Sequence, residues 1–283
     1  MEMKRVIALS VVVLLVATAV SCKKNYCNIV HDADLFGTGA ANTPVPEIID
    51  LGITVNGKSI KWASFNLGAS RPEEAGDYFA WGDTRTLYVS LNPLVWKKAS
   101  PGGSELSYNG ENYIHAHGSM DKLVKYCLKS HSSLWDGSES GPDGLTTLEP
   151  EDDAAHVLLG GNWRMPTQEE MFALFSLRGN ANKDGSDYLW QDWTSRTNPK
   201  GEEIYGLQII RKSTCDTLFF PASGLIWGHN LEYKNSFGCV WYSTLRSIVS
   251  SYADYLRFDQ EFCDANSGND RSIGAPIRPV YVE

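Results

Sequence analysis

Two adjacent acids, Glu169 and Glu170, are the first residues whose types could do chemistry, since paired carboxylates drive glycoside hydrolysis. Their setting favours another role. Thr167 lies three residues ahead of Glu170, which is a capping box: the hydroxyl accepts from the Glu170 N–H and the carboxylate from the Thr167 N–H. Pro166 fixes its own φ and pushes Met165 out of the helical region. The pair is therefore expected at a helix start, capping it and facing solvent.

The other reactive types fall short of a site. His115 and His117 would share one face of a strand, with Asp121 close by, but two imidazoles without a placed third ligand do not make a zinc site. Asn180 to Gln191 has oxygens at alternate positions and Gly185 at the sixth. It begins with Asn, however, and ends in Gln where calcium needs a bidentate glutamate. The run Asp264 to Asp270 fails the same spacing. Ser223 sits in Pro-Ala-Ser-Gly with no assignable base, and there is no nucleophile elbow or phosphate loop. No metal, cofactor or catalytic residue is assigned, and the chain is not read as an enzyme.

The chain has six cysteines and no C-x-x-C. With Cys22 and Cys27 near the N-terminus, Cys127, Cys215, Cys239 and Cys263 remain, and four thiols allow three pairings. If residues 239–244 and 254–258 form a hairpin, Cys239 falls opposite the region just before Cys263. A Cys239–Cys263 disulfide is expected, worth ~2–4 kcal/mol through constraint of the unfolded chain.

The positioning elements follow. Lys4 and Arg5 precede an unbroken apolar and small-residue run from Val6 to Val20. That is shorter than the roughly 20 residues a membrane span needs, so residues 1–21 read as a signal peptide. It ends in Ala19-Val20-Ser21-Cys22, which resembles a bacterial lipobox with Ala19 where leucine is usual. Cys22 is therefore expected to carry lipid. Residues 22–46 read as a flexible tether of roughly 25–30 Å, and residues 47–283 as one domain. Removing residues 1–21 takes away Glu2, Lys4 and Arg5, so the net charge moves from −9 to −10. An acidic domain without a basic stripe argues against nucleic acid and against anionic headgroups, leaving the lipid as the membrane contact.

Within the domain, helices are expected over Asp121 to Lys129, from Pro150 to Gly160, and from Thr167 to Gly179. Period-two patterning then takes over at 189–194, 204–210, 217–220, 240–244 and 255–258. Helices followed by strands imply an α+β domain with antiparallel sheet. Trp62, Trp81, Trp163 and Trp241 read as core.

A resemblance is carried by an ordered set of phrases. They are Lys61-Trp62-Ala63-Ser64-Phe65-Asn66-Leu67-Gly68, Gly76-Asp77-Tyr78-Phe79-Ala80-Trp81-Gly82-Asp83, Gly161-Asn162-Trp163-Arg164-Met165-Pro166-Thr167, Phe220-Pro221-Ala222-Ser223-Gly224 and Ile277-Arg278-Pro279-Val280. Together they resemble the "major paralogous domain" (FISUMP) lipoproteins of gut and rumen bacteria, over residues 48 to 281. The resemblance implies a C-type-lectin-like fold, with two or more helices flanking twisted antiparallel sheets, and an outer-membrane lipid-anchored location. It implies no reaction. The expected function is recognition of an extracellular glycan or protein ligand. A fimbria-associated assembly subunit is the alternative, although residues 23–46 lack the alternating apolar run that a donor strand needs; a glycan-active enzyme is a third. In the fold so implied, the late loops and strands form the recognition face. Here they carry Trp227, His229, Asn230 and Tyr233, then Arg246, Tyr252, Tyr255 and Arg257, then Asn266, Asn269, Asp270 and Arg271. Tyr, Trp and Arg are the types that dominate binding hot spots.

Replacing Cys22 removes the lipid acceptor. The Cys22→Ala protein is expected in the soluble fraction of fractionated cells, and continued partitioning into detergent would contradict the anchor.

Overall fold

The computed structural model describes residues 43–138 and 140–283. The segments expected to be a signal peptide and, for the most part, a tether, together with Cys22, lie outside the described residues.

The domain opens with a hairpin whose core side alternates. Strand β1 (Ile48–Val55) buries Ile49, Leu51 and Ile53. Asn56 and Gly57, at φ 51° and 77°, close it onto β2 (Lys58–Ala63) through the two-residue turn that needs two left-handed residues. A second hairpin, β3 (Tyr88–Leu91) with β4 (Leu94–Trp96), follows after a long irregular stretch. A 3-10 turn at Pro150–Asp152 leads into α1 (Ala154–Leu159), where the Asp153 side chain caps the helix by accepting from the His156 N–H at 3.0 Å. Trp163–Arg164 forms the short β5, and Pro166 and Thr167 turn the chain into α2 (Gln168–Ala181).

Strands then dominate. β6 (Tyr188–Thr197), β7 (Glu203–Arg211) and β8 (Thr217–Pro221) form one antiparallel sheet. The small hairpin β9 (Leu225–Trp227) and β10 (Asn230–Glu232) leads to β11 (Phe237–Leu245), β12 (Tyr252–Asp259) and β13 (Cys263–Asp270). The last strand, β14 (Val280–Val282), inserts between β2 and β5, so the sheet order is β1-β2-β14-β5.

Strands β11 and β12 are buried on both faces and divide the interior. Val240, Tyr242, Leu256 and Phe258 pack with α2, β1 and β7 in a first core. Their neighbours Cys239, Trp241, Ala253 and Tyr255 point the other way, into a second core with Trp81, Tyr126 and Ile273. This is period-two alternation in which both sides are apolar. A third, tyrosine-rich cluster under β3–β4 holds Tyr78, Tyr88, Tyr108 and Tyr113. The four tryptophans expected in the core are 6% exposed or less.

Several expectations are corrected. The architecture is β-rich, 39% strand and 12% helical, built of small antiparallel sheets, and is not clearly the α+β C-type-lectin-like fold. Among the described residues only α1 and α2 are α-helical. The helix expected at Asp121 to Lys129 is absent because Tyr126 sits at φ 57°. The Asp143 carboxylate takes the N–H groups of Tyr126 and Cys127 at 2.7 and 2.9 Å, offering the backbone partners that a helix would otherwise supply. Helix α2 runs two residues past Gly179, which does not take a left-handed conformation. Cys239 and Cys263 are free thiols. β11 and β13 lie on opposite edges of β12, about 9–10 Å apart, beyond the reach of a disulfide. Cys239 opposes Arg257 and Cys263 opposes Phe258, so they also face opposite sides. Cys127 is free as well, whereas Cys215, in the β7–β8 turn, is disulfide-bonded.

The capping box forms: Glu170 N meets Thr167 Oγ1 at 3.3 Å and Thr167 N meets Glu170 Oε2 at 2.9 Å. Glu170 does not face solvent, however. It is 4% exposed, and both of its oxygens accept from the Arg164 guanidinium.

Arg278 joins the ends of three segments. Its Nε donates to Asn66 Oδ1 at 2.9 Å, Nη1 to the Ala63 and Ser64 carbonyls at 3.1 Å each, and Nη2 to the Phe219 carbonyl at 2.7 Å. Replacing it with methionine fills the space but leaves these buried acceptors without donors. Arg278→Met is expected to lower the urea-denaturation free energy by roughly 3 kcal/mol or more, after crediting the relief of burying a charge. An unchanged midpoint would remove Arg278 from its place in the fold.

Candidate functional site

The β9–β10 hairpin and the turn after it position the exposed residues that could bind a ligand. Gly224 opens the hairpin at φ 70°, where a Cβ would lie 2.1 Å from the Glu232 carbonyl, so only glycine lets the chain pass this close to its own return. At the other end the Gly228 N–H and carbonyl bond to Tyr108 at 3.0 and 2.9 Å, fixing the tip to the body of the domain. After β10 the chain reverses through Tyr233, whose carbonyl accepts from the Ser236 and Phe237 N–H groups at 3.0 Å each.

Tyr233 is unusual on two counts. It sits at φ 58°, a left-handed conformation that costs an aromatic residue on the order of 1–2 kcal/mol, and the residue is 62% exposed, so burial does not offset the strain. Asn235 in the same turn is also left-handed, at φ 63°, but its amide is held by the Glu203 carbonyl at 2.9 Å.

Tyr233 overlooks a groove of about 570 Å3 lined by Leu225, Phe237, Arg257, Asp259, Gln260 and Glu261. The Arg257 guanidinium lies over the Phe237 ring at 5.6 Å and over Phe262 at 5.0 Å, and Phe262 is 46% exposed. Arg257 Nη2 stands 3.6 Å from Asp259 Oδ2, while Asp259 Oδ1 accepts from the Glu261 and Phe262 N–H groups at 2.9 Å each. Among the described residues two buried side-chain nitrogens have no acceptor, Trp62 Nε1 and Arg257 Nε. The groove thus offers aromatic faces, an incompletely bonded guanidinium and carboxylates within one concavity.

The expected recognition residues divide. Tyr233 and Arg257 meet at this groove. Trp227 is 58% exposed on the hairpin, and His229 beside it meets the Trp96 ring edge-on at 4.9 Å. Tyr252, 39% exposed, pairs with Asp270 at the far end of β12. The others do not join them. Tyr255 is 5% exposed and packs edge-on against Trp241. Arg246 Nη1 bonds the buried Asp254 carboxylate at 2.9 Å, neutralising it. Asn266 is exposed in β13, while Asn269 opposes Ala253 and Asp270 accepts from Ser272. Arg271 is fully buried. Sequence reasoning missed Phe237, Asp259 and Phe262; the run Asp259-Gln260-Glu261-Phe262, polar residues ending in an aromatic between two strands, was the available signal.

The histidines and acids of the second core form a different centre. Arg271 lies over the rings of Trp81, Tyr113 and Tyr126, at 4.8, 5.2 and 5.7 Å, and bonds the Tyr113 hydroxyl and the Tyr126, Ser250 and Lys125 carbonyls. His115 Nε2 is 3.0 Å from the Gly82 carbonyl, and Asp152 accepts from Lys125 at 2.6 Å and from the Tyr126 hydroxyl. His117 instead turns outward to Asp136, so the two imidazoles are not brought together. Among the described residues no group of three or more His, Cys, Asp or Glu side chains is placed to hold a metal ion. Ser223 is buried, and its hydroxyl donates to the Pro221 carbonyl at 3.1 Å. His115 is 6% exposed, out of reach of a substrate, and this centre reads as structural.

Comparison with protein-family models, with curated proteins and with solved structures returns no match.

Burial, reinforced by Arg271, lowers the His115 pKa to about 4. A histidine whose folded pKa lies below its unfolded value of about 6.5 is neutral in the fold and gains a proton on unfolding, so stability falls as pH drops from 6.5 towards 4. His115→Gln keeps an amide donor for Gly82 and cannot titrate. Between pH 7 and pH 4.5 the wild type is expected to lose roughly 2 kcal/mol more urea stability than this variant. Equal losses would show that His115 does not report acid sensitivity.

Proposed function

We propose that this chain is a bacterial envelope lipoprotein, held at the outer membrane by lipid on Cys22, whose domain binds an extracellular glycan or protein ligand in the groove under Tyr233. The observation that carries this reading is Tyr233 itself: a strained backbone that presents an aromatic ring to solvent. Local strain of this kind gathers at ligand sites, because the surrounding structure must hold it against a lower-energy alternative. Two further features support it. The groove volume lies in the range of small-ligand sites. Tyr233 and Arg257, two of the residues that line it, combine large contact area with polar tips.

The test is a combined glycan and protein array probed with the tagged mature chain. A reproducible ligand is expected, and the Tyr233→Ala, Phe262→Ala double variant should weaken its capture at least tenfold. Both side chains are exposed, so the melting temperature should stay within a few degrees. Undiminished capture by the double variant would place the site elsewhere, and an array without any ligand would contradict recognition altogether.

A further inference from the structure

A second cavity, of about 380 Å3, shares no lining residue with the groove. Lys58, Asp153, His156, Asn162 and Arg164 line it, brought together from the β1–β2 hairpin, α1 with its cap, and the turn into β5. That turn is closed by the Trp163 N–H on the Gly160 carbonyl at 3.2 Å and runs through Gly161 at φ 57°. Within it, the Gly161 and Asn162 N–H groups bond nothing among the described residues. A Cβ on Gly161 would meet nothing within 4 Å, so the turn is open to a ligand. Lys58 is exposed, and its ammonium has no partner among the described residues either. The carboxylates bonded into this lining, Asp153 and Glu170, are each 4% exposed. Asp153 accepts from the His156 and Met165 N–H groups at 3.0 and 2.8 Å, and Glu170 holds Arg164, so both are occupied within the protein.

We infer that this cavity is a binding site for a small organic anion, one that carries a phosphate or a carboxylate. It does not depend on the groove or on what binds there. Two neighbouring main-chain N–H groups beside an unpaired ammonium are the donors that an oxyanion needs, and the ammonium bond is charge-assisted. The His156 Nδ1–H donates to the Trp163 carbonyl at 3.2 Å, which leaves Nε2 to accept from a hydroxyl elsewhere on the ligand. The volume falls in the range of small-molecule sites, and a bare phosphate would leave most of it empty. The net charge of −9 sets the size of the ligand as well. The field of the whole chain repels anions, so attraction is confined to groups in contact, which suits a small anion and not an anionic polymer or a membrane surface.

The experiment is amide NMR of the full chain in detergent, titrated separately with inorganic phosphate, the phosphate monoester of glucose, glucuronate and, as the neutral control, glucose. The Gly161 and Asn162 amide signals are expected to shift and saturate with the monoester or with glucuronate, and the tighter of the two identifies the preferred oxyanion. Inorganic phosphate should bind about tenfold more weakly than that ligand, because it leaves the cavity part empty. Lys58→Ala should weaken the affinity about tenfold or more, and Lys58→Arg should restore most of it. Lys58 is exposed and unpaired among the described residues, so both variants should melt within a few degrees of the wild type. The inference is overturned by the absence of a saturating shift at Gly161 and Asn162 with either organic anion, by an equal shift with glucose, or by full affinity in Lys58→Ala. Inorganic phosphate binding as tightly as the organic anions overturns it too.

Discussion

Arg278 is fully buried, and none of its four hydrogen bonds reaches a carboxylate. Three go to main-chain carbonyls and one to the Asn66 amide oxygen, while the Phe220 ring lies 4.8 Å beneath the guanidinium. Burial pushes its pKa down, but five donors spread over a delocalised cation keep it protonated. The carbonyls it serves belong to the end of β2 and to β8, elements of different sheets that share no ladder. A planar fork is what can bond acceptors arriving from two directions, which a lysine could not do. Without it, those carbonyls would be buried with no partner, each at a cost of about 1–3 kcal/mol.

Arg271 repeats the device in the second core, where it gathers carbonyls from Lys125, Tyr126 and Ser250 inside a cage of three aromatic rings. Between them the two arginines explain how a chain with long irregular stretches keeps its buried backbone satisfied. Tryptophan and tyrosine side chains extend the same solution. Trp81 Nε1 donates to the Tyr242 carbonyl at 2.7 Å, Trp241 Nε1 to the Phe79 carbonyl at 2.9 Å, and Tyr113 to the Trp81 carbonyl at 2.7 Å. Large side chains both fill the cores and serve the backbone where no strand lies alongside.

Such a scaffold holds short hairpins rigidly without lengthening them. β9 and β10 are three residues each, too small to stand alone in water. Gly224 at the base, Tyr108 at the tip and Ile226 beneath fasten the hairpin to the domain. Leu225 packs into the second core, and Trp227, near the tip, is 58% exposed. The strain at Tyr233 is tolerated for the same reason: the carbonyl of this residue accepts three hydrogen bonds, from the Ser236 and Phe237 N–H groups and the Ser236 hydroxyl, and the Asn235 amide ties the turn to β7.

What could be read from the sequence was local. The capping box follows from Thr167 and Glu170 alone, because both bonds close within one turn of helix. Strands β6, β7, β8, β11 and β12 follow from side-chain alternation, whereas β9, β10 and β13 carry no such pattern; the core tryptophans follow from their surrounding motifs. What could not be read depended on partners distant in the chain. Tyr126 left the helical region because Asp143 bonds its N–H, and Glu170 was buried because Arg164 reaches both oxygens. Cys239 and Cys263 share a sheet but not a face, and which strand separates them is a matter of sheet order. Of the recognition residues, Tyr255 and Arg246 were turned to Trp241 and Asp254 by the packing of β12 between two cores. The sequence by itself determined only the residue types that a recognition surface would use. Only tertiary structure decided which of them face solvent together, because a strand covered on both sides buries either phase of its alternation.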